Sequence, residues 1–368
     1  MTTAPLIVLT AGGTGGHVFP AEALAAELLR RGCRLALVTD VRGNRWGGTL
    51  GQIETYPVAA SQMLGRGLFG KIAGVFRLTR GTMQAKALFG RLRPAVVVGF
   101  GGYASVPAVA AAVTSGRPVL LHEQNAVLGR ANRLFAGKVS RIATSYEDVS
   151  HLPAGAVMVR TGMPVRPAIQ ALADQPYVPP VEGGPIRVLI LGGSQGARVF
   201  SDVLPLAFAA LPDTLRSRLE ITQQARPEDV DRAREAYEQA GLKATVLAFF
   251  DDVPERLAAC HLLIGRSGAS TVAEVTVARR PSVLVPYPHA ADDHQTANAR
   301  AVAAAGAGWV MPQTAFSAES VSALLSDLFA SPERLSRAAE AAHAFAIPDA
   351  ASRLADAVLD LLPLESRP

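Results

Sequence analysis

Cysteine and aromatic residues are scarce in this chain, and no stretch of it reads as a membrane span. Its two cysteines, Cys33 and Cys260, are too few for a disulfide framework and lie in apolar surroundings typical of packed thiols in a reducing compartment. Residues 94–116 are uncharged, but glycines and Pro107 divide them into a strand, a loop and a helix. These absences argue against a disulfide-rich secreted domain and against an integral membrane protein.

A secretory signal is also missing. The residues before the apolar run 6–10 include no basic region, and the run itself is too short for a signal core. We therefore expect a cytoplasmic protein. The chain has 368 residues, of which 49% are hydrophobic and 18% charged, which indicates a globular protein with two domains.

Acidic residues are absent between Glu54 and Glu123, where eight basic residues lie. Residues 1–163 contain 18 Lys/Arg against 7 Asp/Glu, and the remainder contains 18 against 24. Basic and apolar residues at helical spacing predict a helix that lies on an anionic membrane surface. A packed helix with a solvated basic face is the alternative, and nucleic acid binding is disfavoured because no recognised motif accompanies the charge. The predicted membrane patch comprises Leu68, Phe69, Lys71, Ile72, Val75, Phe76, Arg77 and Arg80.

Metal-ligand patterns are missing as well. The sequence contains no D-x-D motif and no His/Cys cluster at ligand spacing. The pairs Asp251–Asp252 and Asp292–Asp293 read as helix caps. We therefore expect no metal ion and no cofactor.

Each half of the sequence opens with a strand, a glycine loop and a helix. Residues 6–10 lead into GGTGGH and a helix over 20–31, and residues 186–191 lead into GGSQGAR and a helix to Leu211. Apolar strands also precede GFGGY at 99–103 and GRSG at 265–268. The repeat predicts two Rossmann-like, doubly wound α/β domains that face a cleft. We place the domains at 1–163 and 164–347, with a final helix at about 348–368 that packs back on the first.

The stretch 265–298 contains two predicted helix starts with polar residues between them. The first, GRSGAST, offers free N–H groups that suit a diphosphate. The second starts at DDHQ, and Glu274, Gln295 and Asn298 suit sugar hydroxyls. The alternative is structural, because Thr271 with Glu274 and Asp292 with Gln295 have the spacing of capping boxes.

The runs SGASTVAE and DDHQTANA resemble the donor-nucleotide region of the family 28 glycosyltransferases, which have the GT-B fold and complete the lipid-linked precursor of bacterial peptidoglycan. The resemblance covers nearly the whole chain through seven ordered motifs. They lie at 12–20, 99–105, 122–125, 162–166, 192–198, 267–274 and 292–299.

The resemblance implies a site for UDP-N-acetylglucosamine. It implies that Glu274 accepts from the ribose hydroxyls, that the backbone of Phe250 contacts uracil, and that Gln295 and Asn298 hold the sugar. The complete set of implied donor residues is Thr14, Gly15, Gly16, Asn125, Arg166, Ser194, Phe250, Ala269, Ser270, Thr271, Val272, Ala273, Glu274, Gln295 and Asn298.

The implied reaction is an inverting transfer of N-acetylglucosamine to the 4-hydroxyl of the muramoyl sugar of lipid I, which forms lipid II. Helix N-termini beside Ser194 and Ser270 would stabilise the departing UDP in place of a metal ion. His17 ends a glycine loop and is the candidate general base. Alternatively it caps a helix or orients the acceptor. His122 and Glu123 follow a strand and could also reach the cleft.

The acceptor diphosphate is expected at the glycine loops of the first half, with Gly13, Gly101, Gly102 and Tyr103. The resemblance further implies a peripheral location on the cytoplasmic face of the inner membrane, a link to cell shape and division, and association with other cell-wall enzymes. Three other functions stay open. They are a UDP-sugar epimerase, a glucosyltransferase that acts on diacylglycerol, and a non-catalytic UDP-sugar sensor.

Two positions depart from the family pattern. Residues 223–226 read QQAR where many members have His-Gln-Ser/Thr-Gly, so we assign no catalytic role there. Met163 stands where the family usually has Asn, which removes a polar contact near Arg166.

Overall fold

The structure is a computed structural model that describes residues 4–12, 15–40, 47–60, 68–193 and 196–364. Its contacts divide the chain into two compact units, Met1–Arg166 with Asp349–Pro368, and Pro167–Pro348. The first boundary lies three residues beyond the one placed from sequence, so Arg166 belongs to the first unit.

The first unit is built on a seven-stranded sheet in the order β3-β2-β1-β4-β5-β6-β7, in which all paired strands are parallel. Its elements up to the boundary are β1 Leu6–Thr10, α1 Gly15–Arg30, β2 Arg34–Thr39, β3 Glu54–Pro57, α2 Leu68–Leu92, β4 Val96–Gly99, α3 Val106–Thr114, β5 Val119–Glu123, α4 Arg130–Arg133, β6 Arg141–Thr144 and β7 Met158–Arg160.

The second unit has a six-stranded parallel sheet in the order β10-β9-β8-β11-β12-β13. Its elements, followed by α14 of the first unit, are α5 Pro167–Gln170, β8 Ile186–Leu191, α6 Arg198–Ala209, α7 Asp213–Arg216, β9 Leu219–Gln224, α8 Val230–Gln239, β10 Ala244–Leu247, α9 Val253–Ala259, β11 Leu262–Gly265, α10 Ala269–Val277, β12 Ser282–Leu284, α11 His294–Ala304, β13 Gly308–Val310, α12 Ala318–Phe329, α13 Pro332–Phe345 and α14 Ala350–Leu359. The two sheets confirm the predicted pair of Rossmann-like domains.

The predicted glycine loops lie at equivalent places in the two sheets. β1 pairs with β4 so that Thr10 lies opposite Gly99, and β8 pairs with β11 so that Leu191 lies opposite Gly265. In both units the strand order reverses between these two strands, and such a switch point at the carboxyl edge is where doubly wound sheets bind ligands. The fold therefore brings two glycine loops side by side at the carboxyl edge of each sheet.

The last helix, α14, packs on α1 in the first unit. Leu354 and Val358 join the core cluster that contains Leu24 and Leu28 of α1. At the rim of this contact Arg31 donates to the carboxylate of Asp356 at 2.5 Å, and it also donates to the hydroxyl of Ser352 at 2.7 Å. The chain therefore ends in the unit in which it begins.

The helix α2 depends on a buried glycine for its position. A Cβ added at Gly81 would lie 1.8 Å from the carbonyl oxygen of Ala59, whereas nothing lies within 4 Å of one added at Gly90. We expect Gly81→Ala to lower the free energy of unfolding by about 1–3 kcal/mol through overpacking. Gly90→Ala, on the same helix, should raise it by about 0.5–1 kcal/mol, because alanine restricts the unfolded chain and favours the helix. Urea unfolding of both variants checks this, and equal effects would contradict it.

None of the helices in the described part of the chain combines the length and the apolar character that crossing a membrane requires.

Candidate functional site

The first helix start predicted in the second unit has open backbone donors. The N-cap of α10 is Gly268, which has no side chain to cap the helix, and the first helical hydrogen bond runs from Val272 N to Gly268 O. The N–H groups of Ala269, Ser270 and Thr271 therefore have no acceptor within the helix, and its first turn contains no acidic residue. These groups and the helix dipole favour an anion.

This start excludes the first capping-box alternative. With Gly268 at the N-cap, Thr271 is the third helical residue and Glu274 the sixth, so neither stands where a capping box needs it. Both side chains are partly buried on the first turns of α10.

Side chains join the two helix starts. The Ser267 hydroxyl donates to the carbonyl of Gln295 at 2.8 Å, and the Asn298 amide donates to the carbonyl of Ser267 at 3.1 Å. The Gln295 side-chain oxygen accepts from the Tyr287 N–H at 3.0 Å. Asn298 is fully buried. Gln295 and Asn298 therefore lie beside the loop that precedes α10, and Asn298 fixes that loop.

The second capping box is wrong, whereas the aspartate caps are right in position only, because Asp252 and Asp293 are N-cap residues whose side chains accept from no helix N–H group. Asp293 is the N-cap of α11 in a left-handed conformation with φ of 52°, and Gln295 is the second helical residue. Asp293 accepts instead from the Thr296 hydroxyl at 2.6 Å. Asp252 occupies the N-cap of α9 without a capping bond and accepts from Arg256 Nε at 2.7 Å. Across the residues that the structure describes, no three His, Cys, Asp or Glu side chains converge as metal ligands.

Phe250 is buried, and its ring is covered by the Arg256 guanidinium at 4.2 Å from the ring centre. Asp252 holds that guanidinium, so the residue implied to contact uracil is held in a fixed position. Arg166 is partly buried at the end of the first unit. Three predicted site residues, Gly13, Thr14 and Ser194, lie outside the described residues.

Sequence reasoning missed a buried arginine at the start of the α10 loop. Arg266 is 8% exposed and lies against the rings of Phe200 and Tyr287, at 5.3 and 5.4 Å. It donates to the carbonyls of Val285 and Pro286, each at 3.1 Å, and to the Gln313 amide oxygen at 2.7 Å. Burial lowers its pKa to about 10, so it stays charged at neutral pH. Its place in the motif GRSGAS was visible, but nothing in the sequence indicated that it is buried.

In the first unit, His17 packs across the glycine loop that follows β4. Gly101 and Gly102 have φ of 83° and 71°, which only glycine adopts readily. A Cβ at Gly101 would lie 3.5 Å from His17 Cδ2 and Nε2, and one at Gly102 would lie 3.6 Å from His17 Cε1 and Nδ1. Since α1 begins at Gly15, His17 is its third residue, so the interpretation of His17 as an N-cap is wrong. Gly16 and Tyr103 are partly buried near these loops.

His122 and Glu123, which were predicted to be able to reach the cleft, are both buried, and their printed hydrogen bonds are made within the protein. Glu123 accepts from the Gly129 N–H and the Asn132 amide, each at 2.8 Å, and from the Asn125 N–H at 3.1 Å. Burial raises the pKa of this carboxyl group, while the hydrogen bonds oppose the shift. Glu123 therefore organises the loop that holds Asn125.

The burial of His122 predicts that the folded protein loses stability in acid. Its Nε2 is 3.1 Å from the carbonyl of Gly162, and burial lowers its pKa to about 4. The unfolded chain binds a proton near pH 6.5 and the folded chain does not, so stability falls as the pH drops from 7 to 4, by about 3 kcal/mol for this residue. Chemical unfolding of wild type and His122→Gln across this range measures the contribution. An unchanged slope in the variant would contradict it.

The α2 surface includes part of the predicted membrane patch. Val75, Phe76, Arg77 and Arg80 are exposed. Leu68, Phe69, Lys71 and Ile72 lie in the first turns of α2, and their side chains are outside the described residues. Met83, which the prediction omitted, is 67% exposed.

Comparison with known proteins agrees with this fold. Residues 7–144 match the glycosyltransferase family 28 N-terminal domain, and residues 187–354 match the C-terminal domain of the same family. Two doubly wound units with these matches define a two-domain glycosyltransferase.

The relatives narrow the class. A protein of Paramagnetospirillum magneticum named UDP-N-acetylglucosamine–N-acetylmuramyl-(pentapeptide) pyrophosphoryl-undecaprenol N-acetylglucosamine transferase is 56% identical over 99% of both chains. One of the same name from Rhodospirillum centenum is 58% identical over 98% of this chain and 95% of its own. The crystal structure of Acinetobacter baumannii MurG has a TM-score of 0.78 and 30% identity, and the match covers 97% of this chain and 99% of that one. This chain belongs to glycosyltransferase family 28 and, within it, to the family of these N-acetylglucosamine transferases.

Proposed function

We propose that this protein transfers N-acetylglucosamine from UDP-N-acetylglucosamine to the 4-hydroxyl of the muramoyl sugar of lipid I, with inversion at the anomeric carbon. The product is lipid II, a precursor of peptidoglycan. The names of the full-length relatives support the two substrates. The observation that carries the proposal is the joining of the α10 and α11 starts through Ser267, Gln295 and Asn298.

The donor fits the second unit by its chemistry. Its diphosphate takes the open N–H groups at Ala269–Thr271, where the helix dipole opposes its charge. Glu274, in the second turn of α10, accepts from the ribose hydroxyls. Gln295 and Asn298 adjoin the same loop and contact the sugar.

In the reaction, the acceptor oxygen attacks the anomeric carbon as the bond to the UDP oxygen breaks. The hydroxyl proton passes to His17, and the negative charge that develops on UDP is stabilised by the N–H groups of α10. A metal ion is not required in this scheme. The acceptor diphosphate lies at the Gly101–Tyr103 loop, whose backbone N–H groups suit phosphate oxygens.

The test is product formation from radiolabelled UDP-N-acetylglucosamine with a short-chain lipid I analogue, run beside diacylglycerol. We expect UDP release and a β-1,4-linked disaccharide with the analogue alone. Glucoside formation on diacylglycerol would favour a lipid glucosyltransferase. Conversion of the donor into an epimeric UDP-sugar without net UDP release would favour an epimerase, and donor binding without any conversion would favour a sensor.

The exposed face of α2 supports attachment to the membrane. Phe76, Arg80 and Met83 follow helical spacing, and both apolar side chains are more than half exposed. The helix has five basic residues and no acidic ones over Leu68–Leu92. An anionic bilayer satisfies both features, since it buries the apolar groups and attracts the basic ones. We infer that this face docks on the cytoplasmic surface of the membrane, beside the lipid-linked acceptor.

Phe76→Ser is expected to weaken binding to anionic vesicles about tenfold, because it removes one buried aromatic side chain from the bilayer. Co-sedimentation with phosphatidylglycerol vesicles at low and high salt measures this. Phe249→Ser is a matched control, since Phe249 is 70% exposed and Phe76 is 69% exposed. Equal losses in the two variants, or no binding at low salt, would contradict a specific α2 surface.

A further inference from the structure

Arg226 lies against the glycine loop that follows β8. It comes two residues after the end of β9, the strand that pairs with β8. A Cβ added at Gly196 would lie 2.7 Å from Arg226 Cγ and 3.1 Å from its backbone nitrogen. Gly196 has φ of 67°, so glycine is required there both for the backbone conformation and for the close approach of Arg226.

Among the described residues, no hydrogen-bond acceptor or carboxylate accounts for the position of the Arg226 side chain. Its Nε is buried without a hydrogen-bond acceptor, and no carboxylate pairs with its guanidinium among the residues that the structure describes. The carboxylates of Asp202 and Asp229 pair with other arginines, Asp202 with Arg198 and Arg232, and Asp229 with Arg232. A buried N–H on a charged group is costly to leave unsatisfied, which points to a ligand that supplies the missing acceptor.

A second cation lies close to Arg226. The positive charge of Arg226 contributes to lowering the pKa of Arg266, so the two guanidinium groups are electrostatically coupled. Arg266 contacts Phe200 in the first turn of α6, the helix that begins directly after the glycine loop. The first turn of α6 contains no acidic residue. Two arginines and a helix start therefore place positive charge at this loop, and among the described residues no ion pair joins a carboxylate to either arginine.

We propose that Arg226 donates hydrogen bonds to the diphosphate of the sugar nucleotide and is a donor-binding residue of this enzyme. Arg266 is the fixed neighbour that raises the local potential, while Arg226 contacts the phosphate oxygens. The inference deepens the proposed function and rests on the second unit as the donor site. It also gives a role to QQAR at 223–226, where many family members have glycine at the position of Arg226.

The test is calorimetric titration of the full chain with UDP, UMP and uridine. The variants are Arg226→Gln, which removes the charge, and Arg226→Lys, which keeps it without the planar fork. We expect Arg226→Gln to weaken UDP about 10- to 100-fold, as for the loss of a charge-assisted hydrogen bond. The affinity for uridine should change less than twofold. Arg226→Lys should have a UDP affinity between those of wild type and Arg226→Gln. Arg234→Gln is the control, because Arg234 is an α8 arginine paired with Asp231.

If Arg226 had only a structural role, Arg226→Gln would lower the affinities for UDP and uridine equally. If the UDP affinity were unchanged, Arg226 would not belong to the site. Either result overturns the inference. The titration needs no acceptor, so its outcome is separate from lipid II synthesis. Normal transfer by wild type with unchanged UDP affinity in Arg226→Gln would reject the inference and keep the proposed function. A phosphate-dependent loss in a chain that makes no lipid II would support the inference and reject that function.

Discussion

His17→Ala is expected to lower kcat by about 10²- to 10⁴-fold, the range that general bases contribute, while UDP binds as it does to wild type. The physical reason is that the imidazole packs against Gly101 and Gly102 in the first unit, whereas the donor is proposed to occupy the second. Fixed-time assays with saturating donor and a lipid I analogue measure kcat, and titration with UDP measures the binding affinity.

His17→Gln separates a base from an orienting group. Glutamine keeps hydrogen-bonding capacity but cannot accept the proton, so a base predicts equally low kcat in both variants and loss of the acidic limb of the pH profile. Recovery of kcat in the glutamine variant would assign His17 an orienting role. Normal turnover in His17→Ala would remove it from the mechanism.

Glu274→Ala is expected to weaken UDP binding about 100-fold, because a carboxylate that accepts from two ribose hydroxyls loses two charge-assisted hydrogen bonds. Its position on the second turn of α10, beyond the capping positions, is the structural basis. In wild type, 2′-deoxy-UDP should bind more weakly than UDP because it lacks one of the two hydroxyls. In Glu274→Ala both ligands should bind with similar affinity, because the carboxylate that distinguishes them is gone.

Glu274→Gln is the control for charge, and it should lower the UDP affinity less than Glu274→Ala does. If wild type and Glu274→Ala discriminated equally between UDP and its 2′-deoxy analogue, Glu274 would have no contact with the 2′-hydroxyl.

The sheet architecture was predictable because strand, glycine loop and helix recur in both halves of the chain. The pattern locates the loops at Gly12 and Gly192 and those at 99–103 and 265–268, and the parallel register then aligns them in pairs. Helix ends were less predictable. The first helix was expected from residue 20 but begins at Gly15, so Pro20 lies inside the helix, in its second turn.

The capping-box predictions failed because the sequence did not locate the helix starts. Spacing alone cannot tell whether Gly268 or Thr271 precedes the first helical turn, since both patterns satisfy the same sequence rule. The aspartates at 252 and 293 bind neighbouring side chains instead of helix N–H groups, because arginine and threonine lie within one turn of them.

The burial of individual side chains also could not be predicted from the sequence. His122 and Glu123 carry reactive groups directly after a strand, yet β5 is central enough in its sheet that both are enclosed. Arg266 shows the reverse case, because a charged residue in a loop motif is predicted to be solvated, whereas its carbonyl and ring contacts enclose it. Its partners lie in the segment after β12, at Gln313 and in helix α6, which no local pattern in the sequence relates.

A crystal structure with UDP-N-acetylglucosamine tests the central claim most directly. We expect the diphosphate within hydrogen-bond distance of the N–H groups at Ala269–Thr271 and of the Arg226 guanidinium, with the ribose hydroxyls on Glu274. Uridine bound to the glycine loops of the first unit, with α10 unoccupied, would contradict it.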